Sequence, residues 1–254
     1  NYSRIVIAPD GRPWVVYFDE TNTSVKVAEY VGSGGNCTSV AWRCTTVDTI
    51  GTDANDGTRP SIAFDTGGRP WISYTSGTDT AVKVATRGGG FGSACTDTAW
   101  TCGIIDTLGT NPADGQDTSI VFDGNGAAWV SYHDATNTAI KVARFVGAGG
   151  NCTSTSWSCE AVDTMGVDAV DGKYGTIAIN PLDGKPWIAY AHATNTAVRV
   201  AQFVGAGGTC TSARWSCSDV DTMGTNSNDG LFSSIKFDPS GNPWVAYTSG
   251  TDTA

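Results

Sequence analysis

Charge is scarce in this chain: 16% of its 254 residues are Asp, Glu, Lys or Arg, and only two are histidine. No apolar run reaches eighteen residues, which excludes a membrane-spanning helix. Lys and Arg form no clusters and the net charge is −10. An acidic surface of that kind repels phosphate backbones and excludes nucleic acid as a partner, while remaining compatible with cations and neutral glycans. His133 and His192 are too few for Cys/His metal sites. Ser/His/Asp spacings and phosphate-binding glycine loops are also lacking. The chain opens at Asn1 without a charged-then-apolar leader and reads as a mature or trimmed product, or a fragment.

What is plentiful is turn chemistry, with 32 glycines among many Thr, Ser, Asn and Asp. The pattern Gly-x-Pro/Ala-Trp-x-x-Tyr occurs five times. Its glycines are Gly11, Gly68, Gly126, Gly184 and Gly241, spaced by 57, 58, 58 and 57 residues. A period in this range identifies a repeat architecture. It divides a single domain over 1–254 into repeats at about 1–58, 59–116, 117–173, 174–231 and a partial 232–254.

Each repeat reads as four strands. In the second, Ser61–Phe64 alternates as strand a, and a tight turn at Gly68 leads to strand b, Pro70–Tyr74. Ala81–Ala85 is strand c, with Lys83 matched elsewhere by Lys26, Lys141 and Arg199. A Gly-rich hairpin tip then carries a cysteine pair, and Trp100 and Cys102 lead into strand d. Trp71 and Tyr74, three apart, point to opposite faces of strand b, so both faces are covered. Short a–b and b–c loops with a long d–a connection predict an all-β propeller of four-stranded antiparallel blades. The alternative is an open β-solenoid. There are four complete blades and a half-blade, and the fifth repeat stops where its strand c is due, so a longer native chain is expected.

Eight cysteines form four pairs, Cys37 with Cys44, Cys95 with Cys102, Cys152 with Cys159 and Cys210 with Cys217, each at the same place in its repeat. One local disulfide per complete blade is expected, and four of them imply an oxidising, extracellular or cell-surface location.

Phe64-Asp65-Thr66-Gly67-Gly68-Arg69-Pro70-Trp71 and Phe237-Asp238-Pro239-Ser240-Gly241-Asn242-Pro243-Trp244 resemble repeats of bacterial secreted β-propellers. They are loosely similar to the Asp-box of sialidase-type propellers. Here the Asp lies six residues before the Trp instead of five, and Ala8 and Pro181 break the pattern. The resemblance implies a propeller fold hosting lectins, glycosidases or scaffolds.

Three sets of residues are candidates for chemistry. The d–a loops carry Asp48, Asp53 and Asp56, repeated as Asp106, Asn111 and Asp114, as Asp163, Asp168 and Asp171, and as Asp221, Asn226 and Asp229. Such oxygens suit calcium, though turn capping explains the same repetition. Trp42, Trp100, Trp157 and Trp215, near the disulfide hairpins, are candidate glycan platforms, or else pack against the disulfides. The third is catalysis, which requires one pocket to draw different residues from different repeats. The deviations noticed are Glu20, Glu29, Glu160, Tyr132-His133-Asp134, Lys173-Tyr174 and His192. His133 and His192 are read as one b–c loop position in adjacent repeats, and the chain as otherwise symmetric. The expectation is therefore a non-enzymatic, multivalent carbohydrate-binding or adhesive module. The alternatives are a structural subunit pairing with copies of itself, and a sialidase-like hydrolase using a unique carboxylate such as Asp134.

Overall fold

The computed structural model describes residues 2–111, 113–166, 168, 170–224 and 230–250. It is an all-β propeller. Blade 1 comprises strands a to d at Ser3–Ile7, Pro13–Asp19, Ser24–Tyr30 and Trp42–Thr49. Blade 2 has Ser61–Phe64, Pro70–Ser76, Ala81–Arg87 and Trp100–Thr107, with a two-residue edge, Ser93–Ala94, beyond strand d. Blade 3 has Gln116–Phe122, Ala128–Asp134, Ala139–Phe145 and Trp157–Thr164, and blade 4 has Thr176–Ile179, Pro186–His192, Ala197–Phe203 and Trp215–Thr222. The fifth repeat contributes the hairpin Ser234–Phe237 and Pro243–Ala246. Each complete blade pairs antiparallel in the order a-b-c-d, as the loop lengths require.

The four expected disulfides are formed, Cys37–Cys44, Cys95–Cys102, Cys152–Cys159 and Cys210–Cys217, each within its own blade. Their placement differs from the sequence reading in one respect. The second cysteine of each pair does not precede strand d at a hairpin tip but lies inside it. Cys44, Cys102, Cys159 and Cys217 stand opposite Ala28, Ala85, Ala143 and Ala201 of strand c. The small alanine leaves room on that face, and strand b supplies a tyrosine to it. The hydroxyls of Tyr17, Tyr132 and Tyr190 lie 3.7, 3.3 and 3.2 Å from the Sγ atoms of Cys44, Cys159 and Cys217. Each bridge therefore ties the hairpin to the sheet, and sulfur is a weak acceptor there.

The a–b turn shows why the repeated motif has its form. Asp65 Oδ1 accepts the backbone N–H groups of Gly67 and Arg69, both at 2.9 Å, and Trp71 Nε1 donates to Oδ2 at 3.3 Å. Gly68 takes φ +75°, where a side chain would be strained. Asp123 does the same for the third repeat, with Trp129 Nε1 donating at 2.9 Å. The fourth turn is one residue longer, so Asn180 rather than Pro181 takes the aspartate's place: its N–H reaches the Lys185 carbonyl at 2.9 Å. The carboxylate therefore fixes a turn and orients a tryptophan.

The opposite-face reading of strand b holds. Trp71 packs toward blade 3 and Tyr74 toward blade 1, and the same division applies to Trp129 and Tyr132. Trp71 meets Phe122, Phe145 and Trp157 edge-on at 5.6, 5.5 and 6.4 Å. Trp129 meets Phe203 and Trp215 at 5.7 and 6.4 Å. Edge-to-face pairs of this kind add about 1 kcal/mol each beyond the area they bury.

A polar bond backs the joints between complete blades. Tyr74, Tyr132 and Tyr190 donate to Asp48, Asp106 and Asp163 of the preceding blade at 2.8, 2.9 and 3.0 Å. Lys83, Lys141 and Arg199 donate to the same carboxylates at 3.1, 2.8 and 3.2 Å. Burial, reinforced by the adjacent carboxylate, lifts the three phenols well above their ordinary value. They stay protonated and remain donors. At the open end, Ile5 and Ile7 of blade 1 and Trp244 of the hairpin are 68%, 60% and 67% exposed.

Trp157→Ala empties a fully buried position and is expected to lower the unfolding free energy by about 3–5 kcal/mol. Trp244→Ala, at the exposed equivalent of Trp71, is expected to change it by less than about 0.5 kcal/mol. Guanidinium titrations of both variants check the pair.

Candidate functional site

The residue at the start of strand a occupies one place in every blade, twelve residues before the motif Trp, or thirteen in the fourth repeat with its longer turn. It is Tyr2, Arg59, Asp117, Tyr174 and Phe232. These five side chains converge on a cavity of about 350 Å³, lined also by Ser3, Arg4, Pro60, Thr118, Gly175, Ser233 and Ser234. Every blade contributes its innermost strand, so the cavity lies where the blades meet. Arg59, Asp117, Tyr174 and Phe232 all adopt left-handed backbone, with φ of 50°, 56°, 57° and 52°. Non-glycine residues avoid this region at a cost of about 1–2 kcal/mol each. The same torsion recurs at one other place of the repeat, Thr23, Thr80, Thr138 and Thr196, but there the residue is always threonine, whereas at the axis it varies.

The side chains form one network. Arg59 Nη1 donates to Asp117 Oδ1, and Nη2 donates to the Tyr2 hydroxyl at 3.2 Å. The guanidinium also lies over the rings of Tyr2 and Tyr174, 4.7 and 5.0 Å from their centres. Tyr174 and Phe232 stack at 4.3 Å. Burial is the largest influence on Arg59 and lowers its pKa, but the charge and hydrogen bond of Asp117 offset it and the net shift is upward. The other Asp117 oxygen, Oδ2, is buried and has no hydrogen-bond partner. A second cavity of about 180 Å³ adjoins through Tyr2 and Arg59 and carries Glu20. Glu20 opens its b–c loop where the other repeats have Gly77, Ala135, Ala193 and Gly250.

This asymmetric ring was legible only by comparing the repeats position by position; of its members, Tyr174 alone was noticed from the sequence. The reading of a chain without an asymmetric site is corrected accordingly.

The other predicted residues lie elsewhere. Trp100, Trp157 and Trp215 are 1%, 0% and 0% exposed and packed between blades, where no sugar reaches them. Trp42 is half-buried beside Tyr30, 5.3 Å between ring centres. The glycan-platform reading of the three buried tryptophans is therefore corrected to core.

The candidate calcium residues serve structural ends. Asp48, Asp106 and Asp163 lie at the end of strand d and hold the joints described above, and Asp221 accepts from Tyr247 at 2.8 Å. Asp56, Asp114 and Asp171 are fully buried and accept the backbone N–H groups of Thr78, Thr136 and Thr194 at 3.0, 2.9 and 3.0 Å. Asp53, Asn111 and Asp168 each cap the N–H two residues on, at 2.8, 3.0 and 2.9 Å. Asn226 and Asp229 lie outside the described residues. Among the described residues, no group of three or more His, Cys, Asp or Glu is arranged to hold a metal.

His133 and His192 do not share a position. His133 pairs with Ile140, as Thr75 pairs with Val82, whereas His192 pairs with Ala197, as Asp134 pairs with Ala139. Both lie in strand b rather than in a loop. Asp134 is not unique either: it accepts from Asn137 at 3.0 Å and lies 3.8 Å from Lys141, as Asp19 accepts from Asn22 and Lys26.

The sequence matches no family model and no curated protein. The fold has solved counterparts. A GH43 β-1,3-galactosidase with galactodeoxynojirimycin superposes with a TM-score of 0.52 at 9% identity, covering 96% of this chain and 92% of that one. An exo-β-1,3-galactanase from Phanerochaete chrysosporium with β-1,3-galactotriose gives 0.49 at 16% identity over 86% of this chain and 49% of that one, about half its length. At these identities the likeness is one of fold. It supports the propeller fold and gives no support to the Asp-box resemblance. Together with the asymmetric axial cavity, it overturns the expectation of a non-enzymatic adhesive or structural module.

His133 is fully buried with neither ring nitrogen hydrogen-bonded. Burial, the largest influence, pushes its imidazole from 6.5 down to about 4, with Lys173 adding to it and Asp117, Asp114 and Asp134 opposing. Between those two values an unfolded chain takes up a proton that the native one refuses. Stability is therefore expected to fall as pH drops from about 6.5 to about 4, by up to about 3 kcal/mol from this residue. Urea titrations at pH 7 and 4.5 should show a smaller drop in His133→Thr, which restores the residue of the second blade.

Proposed function

We propose that this chain is a secreted glycoside hydrolase whose active site is the axial cavity and its adjoining rim. The observation that carries the reading is the convergence of Tyr2, Arg59, Asp117, Tyr174 and Phe232, one from each repeat, on a single cavity. A binding module built for repeated equivalent contacts has no need of four different residue types at its point of convergence. Aromatic rings beside an Arg–carboxylate pair suit the alternating apolar and hydroxyl faces of a sugar.

Glycosidic cleavage needs two carboxyl groups in different environments. Asp117, buried and paired with Arg59, supplies an ionised carboxylate facing the sugar. Glu20, exposed across the Tyr2–Arg59 wall, is the second carboxyl group of this reading. The four intrablade disulfides fit an oxidising, extracellular setting.

Hydrolysis of a panel of aryl glycosides and of β-1,3-linked galactan, followed by released reducing sugar, tests the reading. Asp117→Asn and Glu20→Gln are each expected to lower kcat by roughly 10²–10⁴-fold with the melting temperature of Glu20→Gln unchanged. An inert wild-type protein across the panel would overturn the hydrolase assignment. Full activity in Glu20→Gln would remove Glu20 from it.

A further inference from the structure

Resting on that hydrolase reading, the structure assigns the axial cavity to an acidic sugar, one bearing a carboxylate that Arg4 receives. In the other blades the residue two places after the axial one is small and hydroxylated. Ser61, Ser119 and Thr176 each accept the backbone N–H of the next blade's isoleucine, at 3.2, 3.3 and 3.0 Å. The first repeat has Arg4 at this place. An arginine has no acceptor to offer, so blade 1 gives up that stitch and brings a guanidinium to the cavity wall instead.

The cation is uncompensated. Arg59 is matched by Asp117, whereas Arg4 forms no ion pair among the described residues, so the three charged groups lining the cavity sum to +1 in a protein of net charge −10. Arg4 keeps an exposed side toward solvent, and a ligand can reach it. The protein around its guanidinium still lowers the Arg4 pKa, and the more distant Asp117 recovers only part of this. A ligand anion would offset that desolvation. At physiological salt the acidic outer surface is screened within about 8 Å, so the local charge governs a bound ligand.

A second polar group points to the same occupant. Asp117, more than nine-tenths buried, keeps Oδ2 without a partner while Oδ1 is held by Arg59. An unpaired carboxylate oxygen and an unpaired guanidinium on the lining of one cavity fit a molecule that carries both a hydroxyl donor and an anion. A hexuronic acid has that pairing. The planar fork of arginine matches a carboxylate with two parallel hydrogen bonds.

Titration calorimetry with D-galacturonate and D-galactose isolates the claim, because the two differ at a single carbon. The wild-type protein should bind galacturonate roughly tenfold or more tightly, the value of one charge-assisted hydrogen bond. Arg4→Ser, the residue of two other blades, should abolish the preference, and Arg4→Lys should retain part of it. Equal affinity for the two sugars, no binding of either, or a preference that survives Arg4→Ser would overturn the assignment. Tighter binding of galactose 6-sulfate than of galacturonate would overturn the carboxylate in particular. Galacturonate preference in a protein that hydrolyses no glycoside would sustain this site and remove the hydrolase reading. Hydrolysis of neutral galactosides without that preference would do the reverse.

Discussion

An aspartate on the outer strand of one blade accepts a tyrosine hydroxyl and a lysine or arginine from the next, and the assembly of the blades depends on that contact. The disulfides cannot serve, because each ties a hairpin to its own blade. The aromatic packing between blades supplies edge-to-face contacts and buried area but no hydrogen bond from one blade to the next. The aspartate adds direction, since one of its oxygens, Oδ2, sits about 3 Å from donors on two strands of the neighbour. Charge-assisted bonds of this sort contribute about 1.5–3 kcal/mol when made, and removing one partner strands a buried charge. The joint therefore sets the blade-to-blade angle and, through it, where the five axial strands meet.

That division of labour explains the distribution of polar chemistry. Most Asp, Thr and Asn side chains that look reactive in the sequence are occupied. They cap turns, hold joints or orient a tryptophan. Unpartnered buried groups also occur in the framework, at Ser24, Ser131, His133 and the indoles of Trp157, Trp187 and Trp215, but at the cavity they are one oxygen of Asp117, beside which the wall also carries the unpaired Arg4. The identity of a site here is given less by its reactive residues than by which of them the scaffold does not use.

The architecture was readable because its signals repeat. Strand b announces itself through Trp and Tyr three apart, and the pairing of each Cys follows from a spacing that recurs in all four complete blades. Where strand d begins was less legible: Trp100 and Cys102 read as its approach, because the glycines before them mark a turn and nothing local shows that pairing to strand c starts at once. In every complete blade the second cysteine is already paired to strand c. The site was hidden because it does not repeat. Attention to what recurs, such as Trp157 or Asp114, selects the framework, and both proved to be core or turn. Arg4, Arg59 and Asp117 form no motif and lie far apart in the chain, and only the closure of the blades around an axis brings them to one cavity. The one-residue misalignment of His133 with His192 came from counting along loops. The strand register corrects it, since Thr75 rather than a loop residue is the true counterpart of His133.

The left-handed backbone at Arg59, Asp117, Tyr174 and Phe232 has a consequence for how such a protein can change. One main-chain conformation carries a cation, an anion, a phenol and a hydrocarbon ring without altering the strand that follows. The fold asks for the torsion and is indifferent to the side chain. Each blade thus presents an interchangeable fitting at the axis, isolated from the joints that set its angle. Single codon changes at these four places alter the side chain offered to the cavity with the scaffold left as it stands.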